Sequence, residues 1–254
     1  MATYQKRAQK RSNKDHFNKD SKGSSATAEV FEALDSSASK TESIVAKYQN
    51  HILTLVGSIV IITLSYLGYN KLIVEPQSNE AVSELNQAQY YFEIALNSSN
   101  SDSLYRRALN GGEGRYGFLD IIENYKGTPA SKLATYSAGM SFLNLKDYEN
   151  AIKYLDQFDS NDVMLSALAK GAIGDAFAQL GQSKDAYEYY VKAFNASINS
   201  YSTPKYLYKA GMLGAKIGKN SSAIIFFKRI KDEFPQVPEA QLVDVQIGRL
   251  ENIQ

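Results

Sequence analysis

Gly174–Tyr190, GDAFAQLGQSKDAYEYY, decides the fold because its spacing recurs. A glycine inside a helical pattern is followed twelve residues later by alanine and sixteen residues later by a bulky apolar side chain: Gly174, Ala186, Tyr190. The same triplet is Gly139, Ala151, Leu155 upstream and Gly211, Ala223, Phe227 downstream, at a pitch of 35 and then 37 residues. Phe142 and Phe177 stand three places after their glycines, where the third unit has Gly214. Such a period marks stacked helix pairs. The expected reason for the glycine is a close crossing in which Gly faces Ala, with bulky residues above and below. Leu145-Lys146-Asp147 and Leu180-Gly181-Gln182-Ser183 read as the turns inside two of the pairs.

A second echo extends the pattern. Tyr125, Pro129, Leu133 and Gly139 are spaced as Phe234, Pro238, Leu242 and Gly248, so Gly248 opens a truncated fourth unit, read as a solvating terminal helix. Upstream, Ala81, Leu85, Ala88, Phe92 and Ala95 recur at helical spacing within Glu80–Leu96, and the polar stretch Asn97–Asp102 ends that helix. Gly112-Glu113-Gly114-Arg115-Tyr116-Gly117 spells G-x-G-x-x-G. It lacks the preceding strand and the βαβ surroundings of a dinucleotide site, and no Gly-Lys-Ser/Thr follows. It reads as a glycine-rich turn opening a helix over Tyr116–Tyr125.

Before the repeats lies His51–Asn70, HILTLVGSIVIITLSYLGYN. Counted from Tyr48, the run free of Asp, Glu, Lys and Arg is 23 residues, bounded by Lys47 and Lys71. About 20 helical residues cross a hydrocarbon core of ~30 Å, so residues 48–74 are expected to form a single transmembrane helix. Tyr48, Tyr66 and Tyr69 sit near its ends, where amphipathic rings favour the interface. The run carries no charge and so offers no ion or proton path. Gly57, Ser58, Ser65 and Gly68 bring small residues to one side, a candidate face for packing against another membrane helix. Pro76 is expected to break the helix or permit a kinked continuation. No small-x-small cleavage site follows, so the segment reads as an uncleaved signal anchor.

Charge sets the expected orientation. Residues 1–47 hold nine Lys/Arg against six Asp/Glu, and the first 22 hold seven against two. Positive flanks stay cytoplasmic. The N-terminus is therefore expected in the cytoplasm and residues 75–254 across the membrane. Residues 1–25 are too polar to bury a core and read as a disordered basic tail. Lys6, Arg7, Lys10 and Arg11 would carry any contact with anionic lipid or a ribosome surface. Residues 26–47 read as a short amphipathic segment, with Thr27 a candidate cap before Glu29, Val30, Phe31 and Leu34, and Thr41 and Glu42 preceding Ile44 and Val45. It would lie on the membrane or dock on a partner.

The residues argue against catalysis. There is no Cys, and the two histidines, His16 and His51, do not make a metal site. Gly-x-Ser-x-Gly does not occur. Asp147, Asp156, Asp159 and Asp162 read as helix caps and solvated faces. No enzyme activity, cofactor or specific nucleic-acid partner is expected.

The Gly/Ala pairings, with Pro235 at a closing position, resemble the tetratricopeptide repeat. The first two units lack the closing proline, and the first position of the pattern is not Trp. The fold class expected is thus all-α: one N-terminal transmembrane helix followed by a tetratricopeptide-repeat (TPR) helical solenoid. In such repeats, positions before and after the helix glycine line a concave groove. Here the resemblance points to Tyr136, Met140, Leu143 and Asn144, then Asp175 and Gln179, then Tyr208, Lys209, Met212 and Lys216. The positions matching a carboxylate clamp are Tyr136, Met140, Ala172, Lys205 and Lys209, only two of them basic. A Tyr/Met surface suits adaptable apolar recognition.

The whole layout is similar to a YfgM-like family of Gram-negative inner-membrane proteins with a periplasmic repeat domain. The TAEVFEALD and GFLDIIENY segments look like the Bacteroidetes-type version. The resemblance implies a co-chaperone accompanying the Sec translocon and a membrane-anchored parvulin-type chaperone, assisting secreted client proteins. The alternative is a scaffold for other envelope assembly or secretion machinery, since KRIKDEFPQVPEA also looks like repeats in periplasmic lipoproteins of that kind.

Overall fold

The computed structural model describes residues 26–99 and 101–252. The basic tail read at 1–25, with Lys6, Arg7, Lys10 and Arg11, lies outside them. Among the described residues the regular structure is helical; one isolated bridge joins Gly112 and Arg115. The chain divides into two compact units, Met1–Leu67 and Gly68–Gln254.

The first unit is dominated by α1, Ala26–Tyr69, an unbroken α-helix of 44 residues. It takes in both the segment read as a separate amphipathic helix and most of the apolar run. No turn divides the two, because the intervening residues include neither Gly nor Pro. Within the apolar run the hydroxyls are satisfied by the helix itself: Thr54 donates to the Asn50 carbonyl at 2.7 Å, Ser58 to Thr54 at 2.8 Å and Thr63 to Ile59 at 2.8 Å. Val45–Leu96 contains the one stretch, among the described residues, long and apolar enough to cross a membrane.

The second unit takes in the last two residues of α1, then a π-helical turn, Asn70–Val74, followed by α2, Glu75–Leu96. Pro76 does not stop the helix. Val74 and Glu75 keep right-handed helical backbone, and the Glu75 N–H reaches the Asn70 carbonyl. Proline lacks an N–H and crowds the preceding turn, and the π turn immediately before it is a usual place for such a strain to be absorbed. α2 buries Ala81, Leu85, Ala88, Tyr91 and Ala95. Phe92 stays half-buried, edge-on to Tyr105 and Phe118.

Two short helices, α3 (Asp102–Asn110) and α4 (Phe118–Asn124), pack beside it. α4 starts two residues later than its sequence pattern predicts. The Glu84 carboxylate accounts for this: it accepts from the Tyr116 N–H at 3.1 Å and from Arg115 at 2.7 Å, holding those residues in the glycine turn. Gly111 and Gly114 there have φ of 81° and 77°, open to glycine without a steric penalty.

Three antiparallel pairs follow. They are α5 (Pro129–Asn144) with α6 (Tyr148–Gln157), α7 (Val163–Gln179) with α8 (Ser183–Ala196), and α9 (Thr203–Lys216) with α10 (Asn220–Glu233). Caps begin the helices where the residues allow. Thr128 accepts from the Ser131 N–H, Asp147 from Asn150, and Asp162 from Met164 and Leu165. Each first helix closes on a left-handed residue: Lys146, Gly181 and Gly218, with φ of 62°, 76° and 80°. The next amide then reaches back to Phe142, Phe177 or Gly214, satisfying a terminal carbonyl.

The crossing chemistry differs from the Gly-on-Ala expectation. A Cβ added at Gly139 would lie 2.5 Å from Leu155 Cγ. At Gly174 it would meet the Tyr190 ring at 2.7 Å, and at Gly211 the Phe227 ring at 2.5 Å. The glycine therefore seats the bulky +16 residue itself, because a large side chain pointing straight at the facing helix needs a position without one. Ala151, Ala186 and Ala223 are fully buried alongside. Gly248 has no atom within 4 Å of a Cβ. It lies in α11, Val243–Glu251, which follows a 3-10 turn at Pro238–Gln241 and covers the last pair through Val243, Ile247 and Leu250.

Candidate functional site

The first helices of the three pairs, α5, α7 and α9, share a groove of about 720 Å³. Seven of the ten groove residues picked from the sequence line it together: Leu143, Asn144, Asp175, Gln179, Tyr208, Lys209 and Met212. Three do not. Tyr136 is half-buried with its ring 5.3 Å from Phe158, and Met140 packs beside the cluster of Leu155 and Ile173. Lys216 lines a neighbouring depression of about 490 Å³ with Gln246 and Arg249.

The groove floor is organised by Asp175. Its Oδ1 accepts a hydrogen bond from the Tyr190 hydroxyl at 2.6 Å and an ion-paired one from Lys209 Nζ. Lys209 also lies 5.4 Å from the Tyr190 ring centroid. That ring stacks on Tyr206 at 6.2 Å with 16° between planes. Burial, then the Asp175 charge, pushes both tyrosine hydroxyls well above their ordinary range. The Tyr190 hydroxyl thus keeps the proton that it donates to Asp175.

Sequence reasoning missed several of these parts. Lys146 enters the groove from the turn after α5, Tyr148 from the first position of α6 and Tyr190 from α8. The available signal was Tyr190 itself: it is the one +16 residue carrying a hydroxyl. Nothing in the repeat spacing announced Gly171, whose missing side chain makes room for the Tyr206 ring of the next pair. The clamp positions do not gather a basic cluster. Ala172 is buried, and Lys209 is already paired with Asp175. Among the described residues no three His, Cys, Asp or Glu side chains gather as a metal site. The small residues of the apolar run stand in the open: a Cβ at Gly57 or Gly68 would touch nothing within 4 Å. Ser58 bonds to its own helix.

The tetratricopeptide-repeat family model matches residues 134–162, which span most of α5 and all of α6. No curated protein matches the chain. The chain thus carries a tetratricopeptide-repeat array, an all-helical solenoid of the kind that mediates protein–protein interaction, together with a helix long and apolar enough to cross a membrane.

Proposed function

We propose that this chain is a non-enzymatic, membrane-anchored adaptor whose groove receives a partner protein. The observation that carries the reading is the groove between α5, α7 and α9. It holds a cation with N–H groups to spare (Lys209), amides (Asn144, Gln179) and apolar surface (Met212) in one place, with Lys209 fixed by Asp175. Polar groups that orient a chain beside apolar surface that buries it are the makings of protein recognition. The finer reading rests on the layout: basic residues 1–25, segment 26–47, span 48–74, and repeats over 75–254. On that layout the protein sits once in the inner membrane with its N-terminus cytoplasmic and its repeats periplasmic. There it accompanies the Sec translocon and a membrane-anchored parvulin-type chaperone and assists secreted proteins.

Affinity capture of the full chain from detergent tests this. Translocon subunits should be recovered, and recovery of cell-envelope assembly components in their place would move the protein to that machinery. Met212→Glu and Gln179→Glu, both on exposed groove positions, should lower partner recovery severalfold while leaving the helical circular dichroism unchanged. Protease added to spheroplasts should digest the repeats; their survival would reverse the orientation.

A further inference from the structure

The groove does not end with the third pair. α11 belongs to the truncated fourth unit, and Arg249 stands one place after Gly248, as Asp175 and Met212 stand after Gly174 and Gly211. Gln246 stands two places before Gly248, as Lys209 does before Gly211. Both line the depression of about 490 Å³, together with Lys216 of α9. Met212 lines that depression and the larger groove alike, so the two meet along α9. α11 is therefore a fourth rung of the binding surface as well as the cover of the last pair. The joined surface is cationic. Lys146, Lys209, Lys216 and Arg249 line it, and Asp175 is the one carboxylate among its lining residues, already taken by Lys209. Lys146, Lys216 and Arg249 are exposed and form no ion pair among the described residues. Composition does not produce this excess, since residues 75–254 hold 18 Lys/Arg against 21 Asp/Glu. Lys146 carries a further mark. Its φ is 62°, at the place where the other two pairs have Gly181 and Gly218. A lysine there is held against the backbone preference of an L-residue, where glycine would serve the turn at no cost.

The geometry points to an acidic segment of the partner protein as the occupant, with carboxylates at Lys146 and at Lys216 and Arg249, and an apolar side chain between them on Met212. This rests on the adaptor reading above and names the chemistry of its partner. Charge complementarity carries it: three free cations face a groove whose single acid is neutralised. Asn144 and Gln179 each donate and accept, as the peptide groups of an extended segment require. A nucleic acid fits less well. Its phosphates repeat at every nucleotide and call for a continuous cationic track. Here Lys146 follows the first rung and Arg249 is on the last, with uncharged Gln179 and Met212 on the rungs between.

Fluorescence anisotropy with the full chain in non-ionic detergent tests this. The probe is the labelled peptide Glu-Glu-Gly-Leu-Phe-Gly-Glu-Glu with an amidated end, so that only side-chain carboxylates are read. Its control has Gln for every Glu. The acidic peptide should bind roughly fivefold or more tightly than the control at low salt, and the difference should shrink at about 0.5 M salt. Lys146→Gly should weaken binding roughly two- to fivefold while leaving the melting temperature equal or higher, because glycine suits that turn. Lys216→Gln with Arg249→Gln should weaken it at least as much. Lys126→Gln removes an exposed charge that lines neither depression and should change nothing. Equal binding of the two peptides, an equal loss with Lys126→Gln, or displacement of the probe by a single-stranded oligonucleotide at lower concentration than by unlabelled peptide would each overturn the assignment. Capture of the native partner separates this inference from the reading beneath it. If Met212→Glu lowers recovery and the triple variant Lys146→Gly, Lys216→Gln, Arg249→Gln does not, the groove receives a partner that is not acidic. If neither lowers it, the adaptor reading falls as well.

Discussion

Leu155, Tyr190 and Phe227 each rest on a bare glycine of the preceding helix. Filling that space forces either the ring or the helix to move, an overpacking cost of about 1–3 kcal/mol. Gly139→Ala and Gly211→Ala are expected to lower the urea midpoint of the repeat unit accordingly. Gly248→Ala is the internal control. No neighbour stands within 4 Å of its Cβ, so the gain in helix propensity of about 1 kcal/mol should dominate and raise the midpoint. Tyrosines set the alkaline limit. Burial, then Glu80, raises the Tyr125 hydroxyl from 10.0 to about 12, and Tyr190 and Tyr206 are raised as well. A folded value above the unfolded one stabilises the fold below pH 10, and that stability is lost as pH rises through the folded value. Unfolding should therefore set in above pH 10. Tyr125→Phe should lose less stability than the parent between pH 10 and 12, as read by denaturant midpoints at each pH.

Among the elements, the glycine turn before α4 depends on a residue far away in sequence. Glu84 on α2 is largely buried and takes both the Arg115 guanidinium and the Tyr116 N–H. Glu84→Ala should free that turn at a cost of about 1–3 kcal/mol. Amide exchange over residues 111–117 should rise more than over α7 or α9, and uniform protection loss would contradict this linkage. The helices themselves were legible in their own residues. Thr128, Asp147 and Asp162 are side chains that cap, and each caps here. Their partners were less so. The α2 pattern pointed to Phe92, yet Tyr91 took the buried place, because α3 and α4 surround more of that helix than one stripe.

At the scale of the whole molecule, repeat arrays are stabilised by each unit covering its neighbour, and the last one needs a cap. α11 supplies it with Val243, Ile247 and Leu250. Deleting residues 243–254 should expose the apolar surface of the last pair, lower the melting temperature of the repeat unit and increase binding of a hydrophobic dye. Unchanged melting would show that α10 needs no cover. The sequence by itself determined that this chain is helical and repetitive, and that it contains one run fit to cross a membrane. Those properties follow from periodicity and from local apolarity, which need no knowledge of what meets what. Only the tertiary structure decided that Gly139, Gly174 and Gly211 seat large side chains rather than alanines. It alone drew Asn144, Asp175, Gln179, Tyr208, Lys209 and Met212 into one groove while placing Tyr136, Met140 and Lys216 elsewhere. The reason is physical. Which face of a helix is occupied depends on the crossing of its neighbours, and a carboxylate such as Asp175 becomes the centre of a site only when Tyr190 and Lys209 arrive from other helices.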